Sequence, residues 1–174
     1  HTGTIIGNTP KDDHDSNGVA EKAVQEIEGQ VRTLKLALGS RVGMAIPPDS
    51  CVLQWLVEHA AFTISRYSVG AGGKTPVQRL IGKISTRPVC EFGEHVLYKL
   101  PHANGRLLKM EPRWDGGTWA DVIKRTGENL AVTSEGVRKS RTIKRVPITD
   151  RWDADAVLNM RANPRDWSGT SGEP

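Results

Sequence analysis

Apolar residues recur at three- and four-residue steps from Ala20 through Ala23, Val24, Ile27, Val31 and Leu34 to Leu38. Lys22, Gln25, Glu26, Arg32 and Lys35 occupy the opposite face. This spacing predicts an amphipathic helix over 18–38. Asn17 or Gly18 is placed to cap its start, and Gly39 to end it. Pro47-Pro48-Asp49 then breaks the pattern. Val52, Leu53, Leu56, Val57, Ala60, Ala61 and Ile64 predict a second helix over 50–66, and Trp55, His59 and Phe62 widen its apolar surface enough to expect burial. Gly70-Ala71-Gly72-Gly73 is a turn. Thr75 and Pro76 have the residue types of an N-cap and first helical position for a short helix over 77–83.

After Pro88 the period changes. Strands are predicted at 96–98, 119–124, 129–133 and 141–146, separated by turns at Gly105, Gly116-Gly117, Gly127-Glu128-Asn129 and Glu135-Gly136. Short strands so spaced indicate a small antiparallel sheet or barrel, giving an α+β chain. A short helix over 153–160 and a disordered tail are expected at the end, and residues 1–17 read as a loop with one short strand near 4–6.

Composition narrows the class. The chain has 174 residues, 37% of them hydrophobic, which suits one ordinary domain or two small ones with polar ends. The net charge of +4 permits nucleic acid as a partner without demanding it. Cys51 and Cys90 form no zinc-binding spacing, and two scattered thiols suit a reducing compartment. No apolar run is long enough to span a bilayer, so no membrane association is expected. The start at His1, without an initiator Met or a signal-peptide pattern, suggests a fragment.

The charge is uneven. Arg138, Lys139, Arg141, Lys144 and Arg145 cluster with no acid between them, while the stretch after Thr149 carries Asp150, Asp153, Asp155, Asp166 and Glu173. Clustered cations on a strand suit a phosphate backbone. A solvated edge strand protected by charge is the plain alternative. The glycine run before Thr75 lacks the spacing and the preceding strand of a phosphate-binding loop. Asp12, Asp13, His14 and Asp15 read as a polar loop rather than a metal site. His59 reads as a packed core histidine.

Glu21 on its own would only complement the positive end of a helix. Its setting says more. Ser16-Asn17-Gly18-Val19-Ala20-Glu21 opens the long helix; Leu53-Gln54-Trp55-Leu56 lies in the second, and Lys74-Thr75-Pro76-Val77 follows. Phe92-Gly93-Glu94-His95-Val96 and Lys109-Met110-Glu111-Pro112-Arg113-Trp114 come later. In order and spacing these resemble the integrase of retrotransposon Pol polyproteins, from the third acidic motif of the catalytic core onward, over roughly residues 12–150.

The resemblance implies a helical C-terminal portion of an RNase H-like core over 1–88, a small SH3-like antiparallel β-barrel over 89–150, and a tail over 151–174. It implies DNA integration in the nucleus by metal-dependent polynucleotidyl transfer. Glu21 would be the catalytic carboxylate and a ligand of Mg2+ or Mn2+. Asn17, Gly18 and Lys22 would meet DNA beside it, and Arg138, Lys139, Arg141, Lys144 and Arg145 would meet the nucleic-acid backbone. The two aspartates that complete such a site belong well upstream; Asp12, Asp13 and Asp15 lie too close in sequence to be them. One carboxylate cannot hold two cations in register, so this stretch alone is expected to be inactive, whereas the complete enzyme would act as a multimer. The alternative is a non-catalytic remnant that binds DNA or protein, the latter through an aromatic cage drawn from Tyr98, Trp114 and Trp119.

Overall fold

The computed structural model describes residues 14–84, 89–100 and 111–164, with side chains from residue 18 onward. The readings placed on 1–13, on the turn at Gly105 and on the tail beyond 164 lie outside the described residues.

Three helices come first: α1 (His14–Val42), α2 (Val52–Tyr67) and α3 (Pro76–Ile81). Five strands follow: β1 (His95–Lys99), β2 (Trp114–Val122), β3 (Asn129–Thr133), β4 (Gly136–Ser140) and β5 (Ile143–Arg145). A 3-10 turn (Ile148–Asp150) and a short helix, α4 (Ala154–Leu158), close the described chain. The class is α+β. The strands form one antiparallel sheet in the order β4-β3-β2-β1-β5, which is not closed into a barrel.

Both ends of α1 differ from the expectation. The helix is already running at His14, so Asn17 and Gly18 lie within it and do not cap it. It also runs through Gly39. Packing of Leu38, 2% exposed, together with Val42, outweighs the glycine's helix cost of about 1 kcal/mol. The stop is Gly43, at φ +74°, with Met44 N–H donating back to Gly39 O at 3.0 Å. That is a Schellman ending, and a Cβ on Gly39 would lie 2.9 Å from Met44 O. Thr75 does cap α3: its hydroxyl accepts from Gln78 N–H at 3.2 Å, and the Gln78 amide oxygen accepts from Thr75 N–H at 2.7 Å.

The expected apolar stripe of α1 is used only in its second half. Val31, Leu34, Leu38 and Val42 pack inward. Residues 18–26 are all exposed, Val19 and Val24 included.

The sheet is covered on both faces, which explains why Gly117–Asp121 are buried without interruption. Ala120, Leu130 and Val132 face the helices and join Leu38, Ile46, Val52, Trp55, Leu56, Phe92, Val157 and Met160 in the larger core. Val96, Tyr98, Trp119 and Ala131 face the other way and build a second core with Cys90. The C-terminal segment completes the first core: Trp55 Nε1–H donates to Ala162 O at 2.6 Å and the Cys51 thiol donates to Met160 O.

Gly93 marks the entry to the sheet. Its φ is +84°, and a Cβ there would stand 2.5 Å from Leu38 Cδ1 of α1. Gly93→Ala is therefore expected to lower stability by about 2 kcal/mol or more, read as a shifted denaturant midpoint at unchanged slope. A midpoint equal to wild type would contradict this close approach.

Asp121 generates a pH prediction. It is 8% exposed, and burial pushes its carboxyl up to about 6; the N–H of Val122, bonded to its Oδ1 at 2.7 Å, and Lys124 oppose that shift. The folded state thus holds a proton that the unfolded chain releases near 3.8, so this group costs stability as pH rises through the window from about 4 to 6. Asp121→Asn should stabilise the protein by on the order of 2 kcal/mol at pH 7 and by nothing below pH 4. Thermal melts of the two proteins that stay parallel across that window would contradict the assignment.

Candidate nucleic-acid interface

The basic run is not one strand. Ser140, 6% exposed, turns the chain. Its hydroxyl lies 3.1 Å from Lys99 O and 2.9 Å from Thr142 O, and accepts from Thr142 N–H at 3.3 Å. Asn129 Nδ2 donates to Ser140 O at 3.4 Å. The strand expected over 141–146 is shortened to β5, and an unexpected strand, β4, precedes the corner. Arg138 and Lys139 lie on β4, Arg141 at the corner, and Lys144 and Arg145 on β5. A serine makes this corner by capturing backbone groups, with no glycine or proline to announce it.

The two strands are the opposite edges of the sheet, and the curl brings the end of β4 to β1. Register sets where each cation points. Lys139 stands opposite Leu130 on the helix-side face, and Arg138 opposite Ala131 on the inner face. Lys144 pairs with Leu97, and Arg145 with Val96. Arg138 and Lys139 are exposed, as are Arg141 and Lys144.

Their immediate partners differ. Arg138 Nη2 lies 2.6 Å from the exposed Glu135 carboxylate. Arg141 is 88% exposed, with Nε 3.7 Å from Glu128. Lys144 Nζ sits 4.3 Å from the centroid of Trp114. Solvated pairs of this kind are worth under about 1 kcal/mol, so a phosphate displaces them easily.

Arg145 is held differently. Its Nε and Nη2 donate to the two oxygens of Glu94 at 2.6 and 2.7 Å, a bidentate pair with a carboxylate that is wholly buried. Glu94 Oε2 also accepts from Glu91 N–H at 3.2 Å, and Arg151 Nε lies 3.4 Å from Oε1. Arg151 is fixed in turn, donating from Nε to Val146 O at 3.0 Å, while its own carbonyl accepts from His95 N–H at 2.7 Å. The guanidinium of Arg145 is thus a structural clasp first, with 43% of its side chain left in solvent.

Glu21, Gly18 and Lys22 stand together at the far end of α1, every one exposed, more than a hundred residues from the basic strands in sequence. Asn17 lies in the same helix, its side chain outside the described residues. Among the described residues no group of three or more His, Cys, Asp or Glu is placed to hold a metal ion. A single solvated glutamate does not fit a Mg2+ or Mn2+ centre.

The other chemistry-bearing side chains are core. Tyr98 and Trp119 are 2% and 0% exposed, so they form no open cage with Trp114. The Tyr98 hydroxyl donates to Asp115 Oδ2 at 2.9 Å; burial, then that bond, pushes it up to about 12. His59 packs among Phe62, Phe92 and Trp119, and burial holds it down to about 4. Burial, with Glu94 nearby, pushes the Cys90 thiol up to about 11. A neutral imidazole and a protonated thiol are the reverse of a nucleophilic pair. No helix among the described residues is long and apolar enough to cross a membrane.

Sequence reasoning missed Glu94 and Arg151. The only local signal was a carboxylate set between Phe92 and Val96, inside a stretch otherwise reading as a buried strand entry. No protein-family model, no curated protein and no solved structure matches this chain.

Removing the Glu94 carboxylate strands two guanidinium groups. Glu94→Ala is expected to cost about 3 kcal/mol, the lower end for a broken buried pair because Arg145 is partly solvated. Glu94→Gln, which keeps shape and loses charge, should cost less. Loss below about 1 kcal/mol for the alanine variant, by chemical denaturation, would contradict the clasp.

Proposed function

We propose that this chain is the nucleic-acid-binding C-terminal part of a retroelement integrase, acting in DNA integration. The observation that carries the reading is the placement of Arg138, Lys139, Arg141 and Lys144. They are exposed cations on the two edge strands and the corner of a curled five-stranded sheet; Arg138 meets the exposed Glu135, Arg141 the Glu128 carboxylate at 3.7 Å, and Lys144 the face of Trp114. The ordered motifs from Ser16 to Trp114 support the family. The strand order, and the approach of Ser140 to Lys99, support an open form of an SH3-like barrel.

In this reading the β-rich part holds duplex DNA through its phosphates and reads little sequence. Arg145 contributes mainly by fixing β5 beside β1, so that Lys144 and the Arg141 corner are presented on a rigid edge. Glu21, with Asn17, Gly18 and Lys22, belongs to a separate catalytic face. That face acts only in a longer chain bringing two further aspartates. By itself the stretch binds and does not cut or join DNA.

The test is binding of the full chain to a duplex of about 20 base pairs across a salt series. Each neutralised phosphate contributes about 0.9 to the slope of log affinity against log salt, so Arg138→Ala with Lys139→Ala and Lys144→Ala should flatten the slope by up to about 2.7. Salt-independent binding, or an unchanged slope in the triple variant, would overturn the reading.

A further inference from the structure

At one end of the sheet lies a cleft of about 630 Å3 that no sequence motif announced. Four separate pieces of chain wall it. Arg66 comes from the last turn of α2, and Val89 and Cys90 from the approach to β1. Thr126 and Gly127 come from the β2–β3 turn, and Arg141, Thr142, Ile143 and Arg145 from the β4–β5 corner and β5. Val122 and Asn129 complete the lining where β2 ends and β3 begins. The size falls within the roughly 300–1,000 Å3 of sites that take small organic groups.

Its chemistry is polarised. Arg66, Arg141 and Arg145 converge there from three elements, and no carboxylate is among the described lining residues. Acids beside the lining are already engaged: Glu91 by Arg41, Glu94 by Arg145 and Arg151, Glu128 by Arg141 at 3.7 Å and by the Thr126 hydroxyl at 2.8 Å. Arg66 is steadied over two aromatic rings, its guanidinium carbon 5.6 Å from the centroid of Phe62 and 5.5 Å from that of Tyr67. Between the cations, Val89, Val122 and Ile143 supply apolar wall from the edge of the inner core.

We infer that this cleft binds an unpaired strand of nucleic acid, taking phosphates on Arg66 and Arg141 and a base face against Val89, Val122 and Ile143. A concave site walled on several sides admits an extruded nucleotide and excludes the convex wall of a duplex. Single strands are held without sequence reading by a cationic groove beside a surface that takes the base face, most often aromatic; here the aliphatic side chains of Val89, Val122 and Ile143 offer that surface. The inference rests on the nucleic-acid reading above and deepens it. It adds Arg66, a helix residue, to the contact set, and gives Arg141 a single-strand contact beside its place in the duplex set.

The experiment measures binding of the full chain to a fluorescent ten-nucleotide oligo-dT and to a duplex of about 20 base pairs, side by side. On a single strand each lost phosphate contact removes about 0.7 from the salt slope, so Arg66→Ala should flatten the oligo-dT slope by about 0.7 and weaken binding about fivefold at low salt. Duplex binding should weaken less than threefold. Thr126→Glu, an exposed substitution on the β2–β3 turn that places a carboxylate at the cleft, should repeat the selective loss with the same circular dichroism and melting profile as wild type. Equal losses on both ligands, or none on oligo-dT, would overturn the cleft while leaving the duplex reading standing. Competition by thymidine monophosphate as strong as by the oligomer would reassign the site to free nucleotides and overturn it as well. Absence of salt-sensitive duplex binding is the separate failure of the underlying reading.

Discussion

The buried carboxylate of Glu94 is the constraint on which the sheet's edge depends. It stands where the chain enters β1, with its backbone N–H donating to Glu91 O and its carbonyl accepting from Trp119 N–H at 2.8 Å. Its side chain then reaches the last residue of β5 and the first residue after the 3-10 turn. A charge so placed is tolerable only because two guanidinium groups and a backbone donor meet it. Satisfying the carboxylate therefore fixes three pieces of chain at once. The edge strand β5 is held against β1, and the C-terminal segment is directed back toward α2, where Val157 and Met160 fill the helix-side core.

That arrangement separates two kinds of cation that look alike in the sequence. Arg145 and Arg151 face a buried carboxylate and hold the fold. Arg138 meets the exposed Glu135 carboxylate and the Tyr98 hydroxyl, Arg141 a partly exposed carboxylate at long range, and Lys144 an indole face. A phosphate can replace those partners at little cost, whereas displacing Arg145 from Glu94 would leave a buried charge unpaired. In the proposed reading, binding and folding fall to neighbouring residues of one basic run.

Much of the element pattern was legible because it rests on periodicity. The stripe from Val52 to Ile64 and the Thr75-Pro76 start are local signals, and α2 and α3 follow them closely. What was not legible depends on partners distant in sequence. The continuation of α1 through Gly39 requires the packing of Leu38, and the split between β4 and β5 requires Ser140 to reach Lys99. The burial of Gly117–Asp121 on both faces requires helices on one side and a curled sheet on the other. The candidate site was legible as a cluster of charge. Its division into clasp and contact was not, because Glu94 lies 51 residues from Arg145. Arg66 carried no signal at all, being one cation at the end of a buried helix.

The central claim is that the β4 and β5 edges, and not the projecting start of α1, carry the nucleic-acid contact of this chain. Amide chemical-shift mapping of the isotopically labelled full chain, titrated with a short duplex, tests it most directly. The account predicts salt-sensitive shifts concentrated at Arg138, Lys139 and the stretch from Arg141 to Lys144, with residues 18–26 unmoved. Shifts confined to residues 18–26, or absent throughout at low salt, would contradict it.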